Sequence, residues 1–155
     1  MSILGIFGTC SQSNYNELVE LIKSGESAKT EELIKKIYGE VEDSAVKLEN
    51  DKCSGEVFSA LCYYLDTVYG VDVLCGMESV VEKWRDITGD FYVIVFREKE
   101  RILALEDTID YDMLLEFMND FFQIDYGNAG QIAWNVLLNN LKNTGTDNML
   151  ILHVF

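Results

Sequence analysis

The stretch Glu56–Tyr69 constrains this chain most, because its apolar residues surround a helix where an ordinary surface helix has one apolar stripe. Val57, Leu61, Tyr64, Leu65 and Val68 recur with the 3.6-residue period, and the positions beside them in each turn are apolar as well. A helix of that kind has to sit centrally, with other elements packed around it, and Gly70 ends it. The chain can surround it. Of its 155 residues 48% are hydrophobic and 12% aromatic, enough to offset conformational entropy, and no proline interrupts a helix.

The other segments divide between helices and short strands. Met1–Phe7, ending at Gly8, is apolar and strand-length. A helix opens at Ser13 or Asn14 and runs to Lys23, with Leu18, Leu21 and Ile22 on one face. A second starts at Thr30, buries Leu33, Ile34 and Ile37, and stops at Gly39. Residues 40–55 are polar and read as loop with a short helix. Val71–Leu74 is a possible short strand, and Glu78–Arg85 a short helix with Val81 and Trp84 inward. Asp90–Phe96 is the clearest strand, β-branched and aromatic, and the charged turn 97–101 would return it as a hairpin through Ile102–Leu105. Asp110–Phe122 is an amphipathic helix whose core side is Leu114, Leu115, Met118, Phe121 and Phe122. Another helix ends near Lys142 with Ile132, Val136 and Leu137 inward, and Met149–Phe155 is a final strand. The expected fold is α+β: one compact domain over residues 1–155, with four or five helices packed on a small, largely antiparallel sheet.

The residues of known chemistries are missing in their usual patterns. Gly5-Ile-Phe-Gly8 matches neither a dinucleotide fingerprint nor a phosphate loop, and no nucleophile elbow occurs. The one histidine, His153, lies in the terminal apolar run, where a structural role is the ordinary one. Cys10, Cys53, Cys62 and Cys75 form no C-x-x-C pair, so neither zinc nor a redox motif is indicated. Asp107, Asp110 and Asp112 fall short of a calcium loop's phasing and lack its terminal Glu. The expectation is a protein that is not an enzyme and that holds no metal and no cofactor.

Charge is the informative feature. With 27 acids against 12 Lys and Arg, the net charge is −15, which repels nucleic-acid backbones and anionic membranes and favours a cationic partner. Between Arg101 and Lys142 there is no Lys, Arg or His, while seven acids occur: Glu106, Asp107, Asp110, Asp112, Glu116, Asp120 and Asp125. Asp112, Glu116 and Asp120 recur every four residues and share one helix face. Each such like-charge pair costs a helix roughly 0.2–0.5 kcal/mol unless a cation answers it. Tyr111 and Tyr126, beside acids at the helix ends, are candidate exposed anchors. The plainer reading is a solvated face, or one neutralised by bases from elsewhere in the fold.

In size, acidity and α+β pattern, without a catalytic motif or a leader sequence, the chain resembles the acidic immunity proteins of bacterial contact-dependent growth inhibition and other polymorphic toxin systems. Residues 1–70 are also similar in order to the YfbM-like bacterial domain family: a short strand at Met1–Gly5, the Asp51-Lys52 pair, then the aromatic helix Phe58–Leu65 ending at Gly70. These resemblances imply a cytoplasmic protein that neutralises a cognate basic toxin, of nuclease type, by covering its active site, with no direct contact to nucleic acid or membrane. A DNA-mimic regulator or anti-restriction protein is the first rival, and an enzyme using a carboxylate dyad or a thiol the second.

Overall fold

Three strands drawn from the two ends and the middle of the sequence meet in one antiparallel sheet of order β1–β3–β2. The computed structural model describes residues 4–50, 54–71, 78–123, 125 and 127–155. In chain order these hold β1 (Gly5–Ser11), α1 (Gln12–Ser24), α2 (Ser27–Ser44), α3 (Gly55–Tyr69), α4 (Glu78–Thr88), β2 (Tyr92–Phe96), α5 (Lys99–Leu103), α6 (Tyr111–Phe122), α7 (Ala129–Lys142) and β3 (Asn148–Val154), with a 3₁₀ turn at Ala45–Lys47. The architecture is the expected α+β domain, with seven α-helices among the described residues.

Helices cover both faces of the sheet. Leu150, Leu152 and Val154 of β3 join Phe7, Ile94 and Phe96 in one core beneath α3, α6 and α7. Ile151 joins Cys10, Val93 and Val95 in a second core beneath α1, α2 and α4. Burial on both faces explains why the strands read as continuous apolar runs without polar alternation. Within the first core α3 is as central as its sequence requires: Val57, Phe58, Leu61, Tyr64 and Leu65 are all buried, although Val68 is exposed. On α7 the inward residues are Ala133, Trp134, Leu137, Leu138 and Leu141, while Ile132 turns to solvent.

The polar segment after Gly39 closes the free edge of β1. The backbone N–H of Phe7 donates to Asn50 Oδ1 at 2.6 Å, that of Thr9 to Ser44 Oγ at 2.7 Å, and that of Ser11 to Glu40 Oε2 at 3.2 Å. Alternate donors of an edge strand are thereby satisfied by side chains, leaving no row of N–H groups for another strand to join.

Several elements differ from expectation. Gly39 does not stop α2, which continues to Ser44 because Val41 extends the Ile34–Ile37 stripe by one further turn. Gly8 lies within β1 and does not end it. The hairpin is absent: after β2 the chain enters α5, and Ile102 is the one fully buried residue of the run 102–105. Lys, Glu, Arg and Leu favour helix, the Glu98–Arg101 pair at 3.0 Å spans one turn, and the place beside β2 is taken by β3. Val71 belongs to no strand, and the rest of the proposed strand 71–74 lies outside the described residues, as do Cys53 and Cys75.

Cys10 and Cys62 are buried, and burial pushes both thiols up to about 12 from an ordinary 9.0, Glu40 adding to the rise at Cys10. A thiol whose folded value is raised contributes stability that is whole below 9.0 and lost as pH climbs toward about 12. The urea midpoint is therefore expected to fall through that window. Iodoacetamide should label neither thiol until the protein unfolds. Labelling of Cys62 in the folded protein at the rate of a free thiol would contradict this burial.

Candidate protein-binding face

Helix α6 is placed by its first turn and by a glycine beneath it. The Asp110 carboxylate accepts from the Met113 N–H at 3.1 Å, capping the helix, while the Asp110 N–H donates to the Tyr69 hydroxyl at 3.3 Å and ties that turn to α3. Tyr64 of α3 reaches the Asp110 carbonyl from below, and burial raises its phenol above the ordinary range. Leu114 and Met118 face inward over Gly130 of α7, where a Cβ would stand 3.1 Å from Met118 Cγ and 3.2 Å from Leu114 Cγ. Rotation is thus fixed. Asp112, Glu116 and Asp120 point away from the core and are exposed.

The seven acids do different work. Glu106 is ion-paired with Lys142. Asp110 serves the helix cap, and Asp125 Oδ1 accepts from the Gly127 N–H at 2.8 Å in the turn before α7. Asp107 is exposed in the turn after α5. Among the described residues no Lys, Arg or His makes an ion pair with Asp107, Asp112, Glu116 or Asp120. Among the described residues, neutralisation from elsewhere in the fold therefore occurs at Glu106 and not along the α6 ridge. Tyr111 is partly exposed at the start of the helix, as an anchor requires, whereas Tyr126 lies outside the described residues.

Beside this ridge runs an apolar stripe, of which Phe121 is the member expected in the core. Met113, Phe117 and Phe121 each follow an acid by one residue, so apolar and acidic lines run side by side along α6. The Phe117 and Phe121 rings stack with centroids 6.4 Å apart, and Tyr63 of α3 meets them at 5.7 and 5.9 Å. Yet Tyr63 is 55% exposed and Phe121 48%. Leu115 is exposed too, contrary to expectation, because α6 buries a narrow stripe centred on Leu114 and Met118. Tyr63 was not singled out from sequence. Its signal was there: it lies on the side of α3 opposite Leu61 and Leu65.

His153 has a different setting. Its Nδ1 donates to Asp90 Oδ2 at 3.0 Å, and Trp84 Nε1 donates to the same oxygen at 2.8 Å, all three side chains being buried. The ring of Tyr38 packs edge-on against the imidazole at 5.3 Å. The trio joins α4 to β3 inside the second core. Asp107, Asp110 and Asp112 do not converge, and among the described residues no three His, Cys, Asp or Glu side chains gather as a metal requires. No helix there is long and apolar enough to cross a membrane. Comparison of the chain with protein-family models, curated proteins and solved structures finds no match.

Proposed function

We propose that this protein binds a basic protein and neutralises it, laying the α6 ridge with its flanking residues over the partner's cationic surface. The observation that carries the reading is that Asp112, Glu116 and Asp120 stand exposed on one face with no cation opposite them among the described residues. An isolated domain gains nothing from that repulsion, and a partner's Lys or Arg residues relieve it. A toxin of nuclease type is the partner of best fit, because a surface that holds phosphate is cationic and open to such a ridge. Occlusion of that surface is sufficient, and steering by the net charge of −15 speeds encounter at low salt. The protein is then an immunity protein of a polymorphic toxin system.

Mimicry of DNA fits less well. Duplex DNA presents two rows of phosphates wound around a cylinder, each with a charge about every 3.4 Å of axis, whereas Asp112, Glu116 and Asp120 form one short line on a single helix face. Proteins that read phosphate spacing would find this ridge sparse, while a protein surface with a few basic side chains needs no denser array.

The test is the combined substitution Asp112→Lys, Glu116→Lys and Asp120→Lys. All three sites are exposed, so the melting temperature should change little. Affinity for the toxin encoded beside this gene should fall about 30- to 100-fold, corresponding to about 2–3 kcal/mol, and protection of cells should be lost. Full protection by the reversed variant would remove α6 from the interface. A gene with no toxin-encoding neighbour would sink the immunity reading itself.

A further inference from the structure

Resting on that reading, we propose that the partner is anchored by arginine side chains stacked on the Tyr63–Phe117–Phe121 cluster and paired with Glu116 and Asp120 alongside it. Aromatic surface of this kind is ordinarily buried, and here two of three mutually packed rings keep about half their surface in solvent at the seam of α3 and α6. Exposed rings beside bare carboxylates suit one side chain above others. A guanidinium stacks flat on a ring while its edge donates to a carboxylate in a bidentate pair, whereas a lysine ammonium is a hydrated point charge. The chain uses the same chemistry internally, with the Arg85 guanidinium 5.8 Å above the Phe91 ring.

The charge selects among occupants. A second copy would bring its own Asp112, Glu116 and Asp120 against these, and an anionic lipid surface or nucleic acid would meet the same repulsion. A basic protein segment gains from both lines of α6 at once. The anchors are thus Tyr63 and Phe121 in the middle of the face, with Tyr111 at its margin.

The experiment is titration of the full chain, at fixed low salt, with an arginine-rich and a lysine-rich peptide of equal length and charge, read by calorimetry. The arginine peptide should bind about two- to fivefold more tightly, the worth of one exposed cation–π contact. Tyr63→Leu with Phe121→Leu keeps apolar bulk and removes the ring faces. That variant should lose the arginine preference while its lysine-peptide affinity stays unchanged. Equal binding of the two peptides by the native chain, or an intact preference in the double variant, overturns the anchor and leaves the acidic ridge standing. If the charge-reversed α6 variant binds both peptides as well as the native chain, the underlying reading fails instead. A native chain that sediments as a dimer and is dispersed by the two leucines would assign the patch to a second copy and overturn the proposal.

Discussion

Alanine in place of Gly8 is expected to cost about 3 kcal/mol or more, lowering the melting temperature by roughly 10 °C. A Cβ on Gly8 would lie 2.2 Å from the Val41 carbonyl oxygen, 2.6 Å from Val41 Cγ1 and 2.8 Å from the Val41 carbonyl carbon. Two of those atoms are backbone, so no rotamer change relieves the clash. Nor can α2 retreat easily, because Ser44 and Glu40, on either side of Val41, hold the N–H groups of Thr9 and Ser11. Helix and strand approach this closely only because residue 8 has no side chain. Gly39, in the same helix, is the matched control: nothing lies within 4 Å of its Cβ position. Gly39→Ala should stabilise the protein by about 0.5–1 kcal/mol through helix propensity. Urea melts of both variants check the pair. Similar shifts of the same sign would mean that β1 and α2 are not in this contact.

Asp90→Ala should be at least as damaging, at about 3–5 kcal/mol. One carboxylate oxygen accepts from both Trp84 Nε1 and His153 Nδ1, at 2.8 and 3.0 Å, where Asp90 is 4% exposed and His153 1%. Truncation strands two buried donors from different elements, each carrying a desolvation penalty of about 1–3 kcal/mol. Asp90→Asn separates hydrogen bonding from charge. Both bonds go to a single oxygen, which an amide carbonyl can replace, so asparagine should cost only about 1 kcal/mol. Equal losses for alanine and asparagine would show that the negative charge, beyond the acceptor geometry, holds α4 to β3. Chemical denaturation of the two variants beside the native chain decides between these.

Local periodicity made most of the elements legible. The stripe around Leu61 and Leu65 located α3, and the apolar run 149–155 located β3. Sequence reading failed where a remote partner decides the outcome. Ile102-Leu-Ala-Leu105 is too short for its pattern to separate helix from strand, and its fate depended on β3 arriving from the far end of the chain to pair with β2. The site divides in the same way. The shared face of Asp112, Glu116 and Asp120 follows from helical spacing alone, whereas the capping role of Asp110 emerges only from the structure. The Glu106–Lys142 pair spans 36 positions and has no local trace. Phe121 shows the limit most clearly. A helical wheel ranks it beside the buried stripe, and only the placement of α3 leaves its ring half uncovered.

Every strand-to-strand contact in this sheet is made to β3, and that arrangement governs how the molecule can assemble. β1 and β2 never touch as partners; each pairs with residues 148–154. Phe96 must find Leu150, and Ser11 Asn148, before either ladder can start, so both wait on residues 148–154 while α1, α2 and α3 can begin to coil locally. Loop closure over long spans grows only slowly in free energy, yet it precedes any reward from pairing. Folding should accordingly resemble a latch more than a zipper, with helical segments collecting first and a single late strand locking both layers together. During synthesis the sheet has no earlier nucleus to fall back on, so cooperativity resides in the segment made after all the others described.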